Sequence, residues 1–254
     1  MLILRHTLTL CIALLFAHPV SADALKDMQT ALNKLTGQTP VTALVSAKVM
    51  FQQGDGGNAI TREGEAFVRV SDDNSGMNFY YTPETLQSMT KEKKARSHNA
   101  EADTPTLIAI NELQPATIQH SLSATNDLLR LIESSQYEGF TEESYNDKPA
   151  RKLRFSFGLE KLSQREKKYV KKYTSEVLVW IDDTGTPIAS HTYSRFSGSA
   201  FIFIRFSSSA DEIRHYQRQD DRLLTLYSKR ESEISGAGEY AVNHFEYTLT
   251  PLGQ

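Results

Sequence analysis

The sequence has one cysteine, Cys11, and one tryptophan, Trp180, in 254 residues. Cys11 lies inside an apolar run at the amino end, residues 8–17. A chain cleaved beyond that run carries no thiol, which excludes disulfide scaffolding, thiolate catalysis and cysteine-held metal. No Asn-x-Ser/Thr acceptor site occurs, in keeping with a bacterial source. An excess of one charge is also lacking: 28 Lys+Arg against 31 Asp+Glu leaves a formal net charge of −3 and gives no reason to expect nucleic acid as a partner. After residue 22 no apolar stretch approaches the roughly 20 residues that cross a bilayer as a helix.

Catalytic and metal motifs are equally scarce. Beyond residue 22 the histidines are His98, His120, His191, His215 and His244, and no two have the spacing of a local zinc site. No Gly-x-Ser-x-Gly elbow accompanies the scattered Ser, His and Asp residues. Gly54-Asp55-Gly56-Gly57 lacks the Lys-Ser/Thr of a phosphate loop and reads as a hairpin turn. Asp182 and Asp183 lack the acidic alternation of a calcium loop and read as turn residues. The sequence therefore predicts a protein that is not an enzyme and takes no cofactor or metal.

What is present begins with an export signal. Arg5 precedes the apolar run, and Val20 and Ala22 supply the small residues of a cleavage site, so residues 1–22 read as a signal peptide removed after Ala22, with a second site after Ala24. A lipoprotein cut before Cys11 is the alternative, but Leu10 precedes it where a small residue is needed. Residues 23–254 are then one exported, periplasmic domain.

Leu25, Met28, Leu32 and Leu35 recur at helical spacing and predict an amphipathic helix from Asp23 to Gly37. Val41, Ala43, Val45, Ala47, Val49 and Phe51 alternate as in a half-buried strand, and residues 59–70 return to complete a hairpin. A short aromatic strand holds Phe79, Tyr80 and Tyr81. Thr82 and Pro83 then open a helical insertion, residues 82–136, with a second helix capped by Ser123 or Thr125. Further strands are expected at 149–157, 176–182, 187–196, 200–206, 212–218, 222–233 and 239–250. Ser163-Gln164-Arg165-Glu166 has the form of a capping box opening a basic helix over 163–172.

Two features bear on function. Nine basic residues, Arg151, Lys152, Arg154, Lys161, Arg165, Lys167, Lys168, Lys171 and Lys172, stand against Glu160 and Glu166 and predict a local positive patch. Arg165, Lys167, Lys168, Lys171 and Lys172 are its candidate contacts to anionic head groups or an acidic partner, against the plainer reading of a solvated surface. The run Ala200-Phe201-Ile202-Phe203-Ile204-Arg205-Phe206 is apolar on both faces, so either helices cover it or it lines an apolar cavity. In the second case Phe201, Ile202, Phe203 and Ile204, with Trp180, would line a cavity for a lipid or acyl chain.

Val177-Leu178-Val179-Trp180-Ile181-Asp182 followed by Thr184-Gly185-Thr186-Pro187-Ile188, after a helix, long strands and a helical insertion, resembles the bacterial lipoprotein-carrier superfamily. Stretches near 200–206, 221–224 and 235–239 look more like exported bacterial proteins of unknown function. The carrier resemblance implies an α+β fold: a strongly bent antiparallel sheet of eight to eleven strands, a half-open barrel, with the N-terminal helix and the insertion on its concave face. It also implies non-catalytic binding of a lipid or other apolar ligand. A cell-envelope protein-interaction module, with a protein partner and no small ligand, is the alternative.

Overall fold

In a computed structural model, residues 23–253 are described apart from 56, 58, 74, 160, 161 and 201–203. The expected leader, residues 1–22, lies outside the described residues, as do Phe201, Ile202 and Phe203.

Asp23 caps the first helix, α1 (Ala24–Leu32), by accepting from the Leu25 N–H at 3.2 Å. Its apolar stripe buries Ala24, Met28 and Leu32. Ten strands then pair into one antiparallel sheet: β1 (Val41–Gln53), β2 (Ile60–Asp73), β3 (Gly76–Tyr80), β4 (Gln136–Tyr145), β5 (Lys148–Phe157), β6 (Val170–Ile181), β7 (Pro187–Ala200), β8 (Ile204–Gln219), β9 (Arg222–Gly236) and β10 (Glu239–Pro251). Their order is β3-β2-β1-β10-β9-β8-β7-β6-β5-β4. The α+β class with an antiparallel sheet is as the sequence predicts. The edges β3 and β4 do not pair with each other, so the sheet is not closed into a barrel.

Several boundaries differ from the sequence reading. The helical insertion contains four helices, not two: α2 (Pro83–His98), α3 (Pro105–Glu112), α4 (Pro115–Leu122) and α5 (Thr125–Ser134). Thr82 caps α2 through the Thr85 N–H at 3.2 Å, as expected. Neither Ser123 nor Thr125 caps α5: Ala124 holds the N-cap position, with its N–H donated to the Leu223 carbonyl of β9, and Ser123 closes α4. The basic helix shortens to α6 (Gln164–Tyr169), since Val170 already pairs with Gly198. Residues 204–206 and the run 212–218 belong to one strand, β8, continuous through Ser207, Ser208 and Ser209, while Ala200 ends β7.

Register shows which residues share a face, because directly opposed residues point to the same side. One row runs Val49, Phe245, Arg230, Glu212, Thr192, Val177, Phe155. This face carries the helices. Two clusters fill it: Val45, Val68, Tyr247 and Leu249 with Ile118 and Leu122 from α4, and Leu153, Phe155, Val179 and Ile181 with Met28, Leu32 and Leu128 from α1 and α5.

The β8–β9 turn fastens the helical end of the sheet. Asp221 accepts from the Thr36 hydroxyl at 2.7 Å and from the N–H groups of Gln38 at 2.8 Å and Thr39 at 3.0 Å. These donors, Thr36 foremost, then Thr39 and Gln38, hold its carboxyl well below the usual carboxylate range. A lowered folded value means that the contribution is complete above the unfolded value near about 4 and declines as the pH falls below it. We expect Asp221→Asn to lower stability by about 1 kcal/mol at pH 6, the donors being charge-assisted but the carboxylate solvent-touched. In urea unfolding the gap to wild type should narrow between pH 4 and pH 2.5, and a gap that stays constant across that range would refute this role.

Candidate functional site

The helix-facing side of the sheet is polar at its centre, where a core would ordinarily be apolar. Glu212 and Arg214 alternate along β8 toward the helices, while Ile213, 38% exposed, points the other way. Arg214 engages the Glu212 carboxylate through Nε at 3.0 Å and Nη2 at 3.1 Å, and the Ser228 hydroxyl donates to Glu212 at 3.0 Å. Burial works against the Arg214 charge, but Glu212 beside it outweighs that penalty and holds the guanidinium firmly protonated. Opposite, on α4 and α5, Asp127 accepts from Arg130 at 2.6 Å and lies 3.0 Å from His120 Nδ1.

Between these walls lies a cleft of about 200 Å³, lined among others by Glu112, His120, Asp127, Arg214, Arg230 and Tyr247. The Arg230 guanidinium sits 5.9 Å from the centre of the Phe245 ring. Tyr247 is 1% exposed, and among the described residues its hydroxyl has no hydrogen-bond partner within 3.5 Å, although the Ser121 hydroxyl lies close enough to bear on it. Ser121, which also lines the cleft, donates to the Thr117 carbonyl at 3.0 Å. Burial pushes the Tyr247 phenol well up, so it stays a donor. The cleft is smaller than the roughly 300 Å³ of ordinary ligand pockets and suits the polar end of a molecule better than a whole one.

Beyond the cleft the same face continues past the helices. Rows there place Phe51, Asn243, Ser232, Ala210 and Ser194 side by side, then Ala241, Ile234, Ser208, Phe196 and Tyr173. Ile234 is 53% exposed on this floor, and Phe51, Phe196 and Phe206 are half-buried. Phe206 crosses Phe196 edge-on at 6.3 Å, above Gly198 and Gly236.

Of the residues singled out in the sequence, Ile204 opens β8 opposite Ala200. Trp180 lies between the core residues Val179 and Ile181 and so points away from the helices. It takes no place in a cavity between sheet and helices. Its Nε1 donates to Glu143 at 2.6 Å, Lys152 holds the other Glu143 oxygen at 2.5 Å, and Tyr145 packs on the ring at 5.1 Å.

The described residues of the basic run do not form one patch, and Lys161 lies outside the described residues. Arg151 is paired with Asp27 of α1, and Lys152 and Arg154 are paired across the sheet with Glu143 and Glu176. Lys167 and Lys168 are exposed on α6, Lys171 and Lys172 on β6, and Arg165 belongs to α6.

The histidines are dispersed, with His191 on Asp211 and His244 near Glu231 on the outer face. Among the described residues no three His, Cys, Asp or Glu side chains gather as metal ligands. Asp182 accepts from the N–H groups of Thr184 and Thr186, both at 2.9 Å, which is a turn. Among the described residues no helix is long and apolar enough to cross a membrane. No family model, curated protein or solved structure matches the chain.

Sequence reasoning missed the cleft. Its one signal was inverted polarity in β8, where Glu212 and Arg214 share a face that should be apolar and Ile213 and His215 share the other.

Proposed function

We propose that this is an exported, non-catalytic protein of the bacterial cell envelope that binds an amphiphilic lipid on the helix-facing side of its sheet. The observation that carries this reading is the floor left beyond the helices, where Ile234 is exposed and Phe51, Phe196 and Phe206 are half-buried between small serine side chains. An acyl chain would remove that surface from water at about 25 cal/mol per Å². The chain's polar end would meet Arg230 and the Tyr247 hydroxyl in the cleft. Bending of the sheet into a half-open barrel, kinship with lipoprotein carriers and removal of residues 1–22 on export belong to the same proposal.

The test is native mass spectrometry, with lipid extraction, of the protein secreted to the periplasm of a bacterial host. Acyl species should accompany the wild type and fall several-fold in Ile234→Asp, while the intact mass should start at Asp23 or two residues later. Protein that carries no apolar species and takes up no fluorescent phospholipid would end the proposal. In that case the reading as a protein-interaction module would gain.

A further inference from the structure

The outer face, opposite the helices, has a basic depression at the far end of the sheet, where the fold adds Arg205 to Lys171 and Lys172 of the basic run. It measures about 430 Å³ and is lined by Lys171 and Lys172 of β6, Arg205 of β8 and the hydroxyl residues Ser197, Ser199, Ser207 and Ser235, with Gly198 and Phe206 at its border. Register brings these together: Lys172 is opposite Ser197, Ser197 opposite Ser207, and Ser199 opposite Arg205. Lys171 is the extra residue where the β6–β7 ladder slips between Val170 and Lys172. Such a bulge re-aims a side chain, so that two consecutive lysines line one depression instead of facing opposite sides. Gly198 permits this geometry, because a Cβ there would stand 2.1 Å from the Tyr169 carbonyl of α6.

Among the described residues no acidic one lines the depression. Elsewhere on the outer face several cations are answered by carboxylates, Lys48 by Glu65, Lys229 by Glu231 and Arg154 by Glu176, while Arg195 stacks over Tyr193. Three cations with four serine hydroxyls, and no carboxylate among the described lining residues, make a receptor for a phosphate ester. α6 adds Lys167 and Lys168 close by along the chain.

The geometry points to a docking surface for anionic phospholipid head groups, by which this end of the sheet meets a membrane. This deepens the lipid reading and rests on it for the choice of a membrane as partner, but its cations and serines lie on the opposite face, and only Phe206 borders both sites. The test is co-sedimentation of the full protein, freed of its leader, with phosphatidylglycerol and with phosphatidylcholine vesicles over a salt series. Wild type should bind the anionic vesicles, and binding should weaken steeply with salt. The triple variant K171Q/K172Q/R205Q should bind on the order of a hundredfold more weakly, each nearby cation being worth about fivefold.

A second variant, K91Q/K93Q/K94Q on α2, removes the same net charge from another surface and should stay within a few-fold of wild type, with circular dichroism confirming both folds. Equal losses in the two variants would overturn the site in favour of diffuse charge attraction. Equal binding to neutral vesicles, or none to either, would overturn it as well. Inorganic phosphate at matched ionic strength should not compete; if it displaces the protein, the site is one for free phosphate. Lipid retained by the triple variant in mass spectrometry separates this surface from the ligand floor, since each can fail alone.

Discussion

Replacing Arg222 by Leu should destabilise the fold by about 3 kcal/mol, read as a lower urea midpoint with an unchanged slope. Arg222 opens β9, and its side chain is 5% exposed. Nε donates to the Thr39 carbonyl at 2.5 Å, and Nη1 reaches Asp72 at 2.8 Å and the Leu122 carbonyl at 3.5 Å. One guanidinium thus joins the loop after α1, the end of β2 and the last turn of α4, three segments far apart in sequence. Leu would fill part of the volume but would leave the Thr39 carbonyl and the Asp72 carboxylate, 24% exposed, without their donor. The loss exceeds the worth of a surface pair because burial removes water as a substitute partner. Arg222→Lys keeps the charge without the planar fork and should recover about half. A loss below about 0.5 kcal/mol for the Leu variant would mean that the two cores hold this corner unaided.

Strands with one face on the core were the most legible elements. Val41 to Val49 alternate strictly because β1 sits mid-sheet, with β2 on one side and β10 on the other, and buries one face only. β4 went unseen because it is an edge strand with no buried side chain and a register slip between Tyr137 and Gly139, so burial imposes no period on it. α3 and α4 were hidden by their length, 8 residues each, too short to display a face, although Pro105 and Pro115 mark both first turns. The three serines of β8 looked like a break. They are tolerated because each is held in the ladder between β7 and β9.

The candidate sites were less legible, for a reason that follows from the sheet. Arg230, Tyr247 and His120 approach one another only through the register of β8, β9 and β10 and the packing of α4 on β9. Arg205 joins Lys171 and Lys172 only through β7. Local spacing holds no trace of such meetings. The basic run, by contrast, was visible as composition but misleading as a patch, since Asp27, Glu143 and Glu176 arrive from other elements to neutralise a third of it.

Gly64→Val should cost about 3 kcal/mol, and the reason lies in how closely α3 rests on β2. Gly64 is opposite Val49 on the helix-facing side. A Cβ built there would stand 2.1 Å from the Pro105 carbonyl oxygen and 2.7 Å from Ile108 Cγ1. The obstacle is backbone at the first turn of α3, not the end of a flexible side chain. That turn is itself pinned, because Glu92 of α2 accepts from the Thr106 N–H at 3.1 Å and the Leu107 N–H at 2.8 Å. Moving α3 outward would open the cluster that holds Ala109 and Leu113. Reduced unfolded-state entropy favours the substitution by at most about 1 kcal/mol, whereas overpacking against fixed backbone costs up to about 3 kcal/mol or more. Gly57→Ala serves as the control, since nothing stands within 4 Å of a Cβ there. It should change stability by less than about 0.5 kcal/mol. If Gly64→Val instead unfolds at the wild-type urea midpoint, α3 is free to lift from the sheet, and the helix-facing floor is wider than the close contact at Gly64 allows.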